Sequence, residues 1–147
     1  MKVERTRTVE LHIPSVLGWE RTAMEVAASV ARLMGFPPER VDDIKTAVSE
    51  ATLNAIEHGS PTETSPGIAI VFTPERDGLE INVQDRSPTP FDSTAALGTP
   101  PSLEDQIAGR APTRGWGTFL IKSLVDEVEF ASNAEGNVVR MVIHLEP

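Results

Sequence analysis

The chain has 147 residues, of which 39% are hydrophobic and 24% are charged, and this is typical of a single globular domain. Its net charge of −9 disfavours a general binder of nucleic acid or membrane surfaces, because neutralising phosphate requires Lys and Arg. A basic protein partner fits better, as does a ligand held by a metal ion and backbone dipoles. The absence of cysteine excludes disulfides, thiolate zinc sites and cysteine nucleophiles. We expect a cytoplasmic protein, since no apolar run could span a membrane and the start lacks the apolar core of a signal peptide.

The first two predicted elements are a strand over residues 5–13 and a helix over residues 15–34. Apolar and polar side chains alternate along the strand, as they do in a half-buried strand. Gly35 and the prolines that follow it end the helix. Helical spacing predicts this inner stripe: Val26, Val30, Leu33 and Met34.

The second predicted helix, over residues 41–59, carries a row of polar side chains beside its buried face. The buried face follows from apolar residues at spacings of three and four: Val41, Ile44, Val48, Ala51 and Ala55. Glu50, Asn54 and His58 succeed one another at intervals of four, so they line a neighbouring stripe. A carboxylate can act as a base, and a carboxamide oxygen suits Mg²⁺. An ordinary solvated face explains the same stripe, so this helix alone does not identify a site.

Two strands and an irregular stretch come next. The strands, over residues 67–73 and 79–84, flank an Asp-Gly turn, which is a hairpin signal. Asp85 lies just past the second strand, where an aspartate is usually a turn former but can also accept a hydrogen bond from an exocyclic amine. Residues 86–113 have no sustained period and many prolines. We expect either a disordered insert or a lid over a ligand, placed at residues 93–114.

A glycine-opened helix is predicted over residues 114–127, beginning Arg114-Gly115-Trp116-Gly117. The glycines allow the backbone to approach a ligand closely, and the free N–H groups of the first turn form an anion site. A flexible entry to a helix is the alternative. The expected buried side is Phe119, Leu120 and Leu124.

The chain ends in a predicted hairpin of strands over residues 128–132 and 137–145. The complete order is strand, helix, helix, strand, strand, lid, helix, strand, strand. This order indicates an α+β two-layer sandwich, in which about three helices cover one face of a mixed, mostly antiparallel sheet. We expect residues 1–147 to form one domain.

Three of these motifs together resemble a known family, the anti-sigma-factor serine/threonine protein kinases of bacteria, within the GHKL ATPase superfamily. Residues 48–59 (VSEATLNAIEHG) are similar to its N box. Asp85 with residues 90–92 (PFD) is similar to its first glycine box, and residues 114–125 (RGWGTFLIKSLV) are similar to its second. The motifs stand in the family's order and span nearly the whole chain. The resemblance therefore implies the GHKL, or Bergerat, fold.

The resemblance implies a site for ATP and Mg²⁺ and gives each matching residue a role. Glu50 would be the catalytic general base, Asn54 the Mg²⁺ ligand and Asp85 the acceptor for the adenine amino group. Arg110, in the lid, is a further candidate for a phosphate contact. The nucleotide phosphates would lie against the start of the last helix: Arg114, Gly115, Gly117 and Thr118.

The resemblance also implies partners and a pathway. A kinase of this family phosphorylates an anti-sigma-factor antagonist and forms a homodimer. When the kinase is free, it sequesters a sigma factor. Neither nucleic acid nor a membrane is an expected direct partner.

Departures from the family pattern leave alternatives open. Ser87 replaces a glycine of the first glycine box. The proline that follows, Pro88, restricts the backbone of Ser87 to extended conformations. Weakened nucleotide binding would leave a non-catalytic partner-switch protein. Trp116 stands between glycines where a smaller or basic residue is usual. A histidine-kinase catalytic domain is disfavoured, because no phospho-accepting helical hairpin precedes the first strand.

Overall fold

The computed structural model describes residues 7–58, 67–86, 114–133 and 136–146, apart from the side chains of residues 58, 114–116 and 133. The predicted lid and Ser87 lie outside these ranges. No helix in the described ranges is both long and apolar enough to cross a membrane. The elements run in the order β1 (Val9–Ile13), α1 (Glu20–Met34), α2 (Pro38–His58), β2 (Ile68–Glu75), β3 (Gly78–Gln84), α3 (Arg114–Leu124), β4 (Glu127–Asn133) and β5 (Gly136–His144).

The strands form one sheet in the order β1-β2-β3-β5-β4, and every pairing between them is antiparallel. The predicted α+β class is confirmed, and the described sheet has no parallel pair. Glu75 pairs with Gly78, so the predicted turn between β2 and β3 is a two-residue hairpin loop; its loop residues are Arg76 and Asp77, and Gly78 is already the first residue of β3.

Helix α2 is the centre of the helical layer. It packs against both α1 and α3, and against β2, β3 and β5 of the sheet. Burying a Val or Ile side chain stabilises a fold by roughly 1.5–3 kcal/mol, so this face fixes the helix firmly. The predicted apolar face is confirmed, since all five of its residues are buried: Val41, Ile44, Val48, Ala51 and Ala55.

Helix α1 is held by alanines together with the predicted Val30, while the predicted Val26 and Met34 are partly buried against the core. Leu33 is 87% exposed, so its predicted place on the inner stripe is wrong. The helix begins at Glu20, five residues later than predicted, after a turn. Small side chains on the contact face let α1 lie close to α2. The buried residues are Ala23, Ala27, Ala28, Val30 and Ala31.

The inner face of helix α3 was predicted only in part, since the predicted Leu124 packs against the core but Phe119 does not lie on this face. Phe119 is 37% exposed, whereas Ile121 is fully buried and Val125 is nearly so. Gly117 is buried as well, and it precedes Ile121 by four residues, as Ile121 precedes Val125. These three residues define the inner face, which brings Gly117 against the rest of the helical layer.

The far end of α3 is tied to α2 and β5 through Arg40. Its guanidinium donates to the carbonyl oxygen of Leu124 (2.6 Å) and to Oδ2 of Asp126 (2.8 Å). The same Oδ2 accepts the N–H of His144 at 2.7 Å. A cavity of about 390 Å³ lies beside this group. Arg40 is already paired with Asp126, so the main effect of these hydrogen bonds is to fix the position of α3 relative to α2.

Candidate functional site

The polar row on α2 lies at the junction of α2 and α3. Glu50 is half-buried and Asn54 is only 5% exposed. A Cβ atom placed on Gly117 of α3 would lie 2.7 Å from Oε2 of Glu50 and 3.7 Å from Oδ1 of Asn54. The fold therefore brings together three residues to which the sequence assigned a common site.

The environment of Glu50 makes its carboxylate a stronger base than an exposed glutamate. Burial raises the pKa of Glu50 above its ordinary 4.5, and the negative charge of Glu57 on the same helix raises it further. A general base works best when its pKa approaches the operating pH. The position of Glu50 and its raised pKa thus suit a group that accepts a proton.

The side-chain nitrogen of Asn54 is buried. Its Nδ2 atom has no hydrogen-bond partner in the described part of the chain. An unsatisfied buried donor costs about 1–3 kcal/mol of stability. A group retained at such a cost is a candidate ligand contact.

Asn54 fits an Mg²⁺ ion that is bound together with a phosphate ligand. Its carboxamide oxygen is a hard ligand of the kind that Mg²⁺ prefers. Among the described residues, no group of three His, Cys, Asp or Glu side chains could hold a metal ion. Mg²⁺ usually takes one or two protein ligands and completes its shell with water and substrate phosphates. The carboxamide oxygen of Asn54 therefore suits an Mg²⁺ ion that binds as a complex with the nucleotide.

Asp85 forms a second group, built at the ends of β3 and β5. Its side chain is 1% exposed. The backbone N–H of Asp85 donates to the carbonyl oxygen of Asn137 (2.9 Å), and the N–H of Asn137 donates to Oδ1 of Asp85 (3.0 Å). Ser132 Oγ–H donates to Oδ1 of Asn137 at 2.6 Å. These contacts fix the carboxylate that the resemblance assigns to adenine.

Gly136 and Asn137 were not predicted as site residues. Gly136 has φ +136°, and a Cβ atom there would collide with the carbonyl oxygen of Asp85. Asn137 takes an inward position in β5, in series with the buried Val139 and Met141. A polar residue in an otherwise apolar alternating series is a signal that could have identified it.

The remaining predicted residues lie at the start of α3 or outside the description. Arg114 opens α3, so the first turn of the helix and its free N–H groups lie near Gly117. Thr118 is half-buried next to it. The phosphate-binding roles of Arg114, Gly115, Gly117 and Thr118 remain predictions, and Arg110 and the His58 side chain lie outside the description.

Known proteins resemble this chain along nearly all of its length. A family model for the histidine kinase-like ATPase domain matches residues 13–143. The serine-protein kinase RsbW of Oceanobacillus iheyensis is 32% identical over 134 residues, which cover 90% of this chain and 84% of that protein. The serine-protein kinase RsbW of Bacillus cereus (strain Q1) is 30% identical over 145 residues, which cover 98% of this chain and 89% of that protein.

Two solved structures share the fold. The RsbU and RsbW domains of Rv1364c from Mycobacterium tuberculosis match with a TM-score of 0.67 at 21% identity, covering 97% of this chain and 34% of that one. The SiaB–SiaC complex from Pseudomonas aeruginosa matches with a TM-score of 0.66 at 11% identity, covering 92% of this chain and 88% of the matched one. At these identities the two structures support the fold alone.

Proposed function

The chain belongs to the histidine kinase-like ATPase domain family, and on that premise we propose that it is an ATP-dependent serine/threonine protein kinase. In this proposal it is also an anti-sigma factor of a bacterial partner-switching pathway. It phosphorylates an anti-sigma-factor antagonist and sequesters a sigma factor when the antagonist is absent. The relatives named serine-protein kinase support the activity. The observation that carries it is the meeting of Glu50, Asn54 and Gly117 at the junction of α2 and α3.

The family implies ATP binding, and the proposal gives the nucleotide three contact regions. Asp85 accepts a hydrogen bond from the adenine amino group, and Asn54 holds Mg²⁺ through its carboxamide oxygen. The bound ion would neutralise phosphate charge, which is the main electrostatic demand of phosphoryl transfer. The phosphates lie against the first turn of α3: Arg114, Gly115, Gly117 and Thr118.

Glu50 acts in the transfer step as the general base. A serine or threonine hydroxyl of the antagonist attacks the γ-phosphorus of ATP, and a new oxygen–phosphorus bond forms. The bond from the γ-phosphorus to the bridging oxygen breaks, and ADP leaves with the electron pair. Glu50 takes the hydroxyl proton. Its raised pKa supports this role, because the carboxylate then holds the proton more readily than an exposed glutamate would.

The proposed partners follow from the pathway and from charge. The antagonist, the sigma factor and a second copy of the chain are the expected partners, with no direct contact to nucleic acid or a membrane. A net charge of −9 favours association with a basic protein. Because both ATP and sigma factors are cytoplasmic, the proposal places the protein in the cytoplasm.

The test is a transfer assay with labelled ATP, Mg²⁺ and a candidate antagonist encoded near the same gene. We expect label on the antagonist with wild-type protein, and a rate lower by about 10²–10⁴-fold with Glu50→Gln. Glu25→Gln, on the exposed side of α1, is the matched control for the lost charge. Folded wild-type protein that binds ATP but transfers no label would refute the kinase. Protein that binds the antagonist but not ATP would instead support a non-catalytic partner-switch protein.

A further inference from the structure

Gly117 lies where no side chain fits while Glu50 keeps its position. A Cβ atom on Gly117 would be 2.7 Å from Oε2 and 3.8 Å from Cδ of Glu50, and real Cβ atoms essentially never approach another heavy atom closer than 3.0 Å. The corresponding distance to Oδ1 of Asn54 is 3.7 Å, an ordinary van der Waals contact. An added methyl group would therefore displace the base and leave the proposed metal ligand where it is.

The backbone conformation does not explain the glycine. The glycines with positive φ in the described ranges are Gly18, Gly35, Gly67 and Gly136, whereas Gly117 lies within α3. Glycine is among the least favourable residues inside a helix, because it loses the most backbone entropy on folding. The reason for a glycine at this position is thus the space that it leaves for its neighbour.

We propose that Gly117 is a positioning residue for the general base, in that its bare backbone forms the wall against which the Glu50 carboxylate is set. This inference rests on the role of Glu50 in the proposed function. It gives Gly117 a task distinct from the phosphate contact implied by the resemblance. The raised pKa of Glu50 agrees with it, because the wall formed by α3 is part of what keeps water from the carboxylate.

The first experiment compares wild type with Gly117→Ala in two assays. We expect the single-turnover rate of phosphoryl transfer at saturating ATP and Mg²⁺ to fall at least tenfold, and by a clearly larger factor than the affinity for ATP, since the added methyl group displaces Glu50 and not Asn54. Equal losses in rate and affinity would overturn the proposal, because the glycine would then be needed by the nucleotide itself.

The second experiment needs no kinase activity. Carboxyl carbon NMR of the ligand-free protein follows the titration of Glu50 in wild type and in Gly117→Ala. We expect the pKa of Glu50 to move toward its ordinary value in the variant, because the displaced carboxylate gains water. An unchanged titration would overturn the proposal. If wild-type protein transfers no phosphate, this titration still decides whether Gly117 positions Glu50, so the two failures remain distinguishable.

A third comparison covers the case in which Gly117→Ala alone unfolds. In a Glu50→Ala background the carboxylate is absent, so the methyl group of Gly117→Ala no longer clashes with it. Alanine also has a higher helix propensity than glycine, which favours α3. Gly117→Ala should then leave the unfolding midpoint unchanged or raise it. A midpoint that falls as far in the Glu50→Ala background as in wild type would show that another neighbour excludes the side chain, and would overturn the proposal.

Discussion

At the scale of single residues, Glu50 and Asn54 are costly for the helix that carries them. One is a partly buried carboxylate and the other a buried amide whose Nδ2 lacks a partner within the described chain. The sequence predicted that they share a stripe, because helical spacing is a local property. It did not predict their burial, which is the main cause of the raised pKa of Glu50, because burial depends on elements distant in sequence that pack around α2.

Glu50→Gln should change stability in a pH-dependent way. Since the pKa of Glu50 in the folded protein lies above 4.5, the native state holds the proton more tightly than the unfolded chain does. The stabilising effect of that proton is present below pH 4.5 and is lost as the pH rises through the folded-state pKa. Glutamine does not titrate. The variant should therefore gain stability relative to wild type between pH 4 and pH 7, measured by urea unfolding.

Glu25→Gln corrects this comparison for the loss of one negative charge from an acidic chain. If Glu50→Gln and Glu25→Gln shift the unfolding free energy equally at both pH values, burial does not penalise the Glu50 carboxylate.

At the scale of elements, the element order, the presence of helix α2 and the β2–β3 hairpin were predictable, although α2 begins at Pro38 and not at the predicted Val41. These predictions rest on local signals, namely apolar periodicity and the turn residues around Asp77. The inner faces of α1 and α3 were predictable only in part, since Val30 is buried as predicted and Val26, Met34 and Leu124 pack against the core. Large apolar residues such as Leu33 and Phe119 dominate a periodicity reading, yet they are exposed. The actual contacts use alanines on α1 and Ile121 on α3, and the separation between packed elements decides which side-chain sizes fit.

The β4–β5 hairpin should control nucleotide affinity through Gly136. Gly136→Ala places a methyl group against the backbone of Asp85 and strains a positive φ. We expect ATP affinity to fall at least tenfold and discrimination between ATP and GTP to weaken, because Asp85, the proposed acceptor for the adenine amine, is displaced. Competition of ATP and GTP for a fluorescent analogue measures both effects.

Gly35→Ala is the matched control for that variant. Gly35 also has positive φ, but a Cβ atom there meets no atom within 4 Å. The Gly35→Ala variant should have a lower free energy of unfolding and an unchanged affinity for ATP. Equal affinity losses in the two variants would mean that general destabilisation, rather than Asp85, is responsible.

At the scale of the whole molecule, the proposed site draws on segments that are distant in sequence. Glu50 and Asn54 come from α2, Gly117 from α3, and Asp85 from the end of β3 where it meets β5. No local pattern links these segments. The order of three family motifs predicted that they belong to one site, whereas periodicity and turn signals predicted only the elements that carry them. Asn137 matched no family motif, and its one signal in the sequence is a polar residue in the apolar alternating series of β5.

The most direct measurement of the proposed site is calorimetric titration of ATP, with Mg²⁺ and with EDTA, into wild type, Asn54→Ala and Asp85→Asn. We expect wild type to bind ATP more tightly with Mg²⁺, and Asn54→Ala to lose that difference. Asp85→Asn should bind at least tenfold more weakly under both conditions, a loss of about 1.4 kcal/mol or more. Folded wild-type protein that binds no ATP, or an Asp85→Asn variant that binds it as wild type does, would contradict the site.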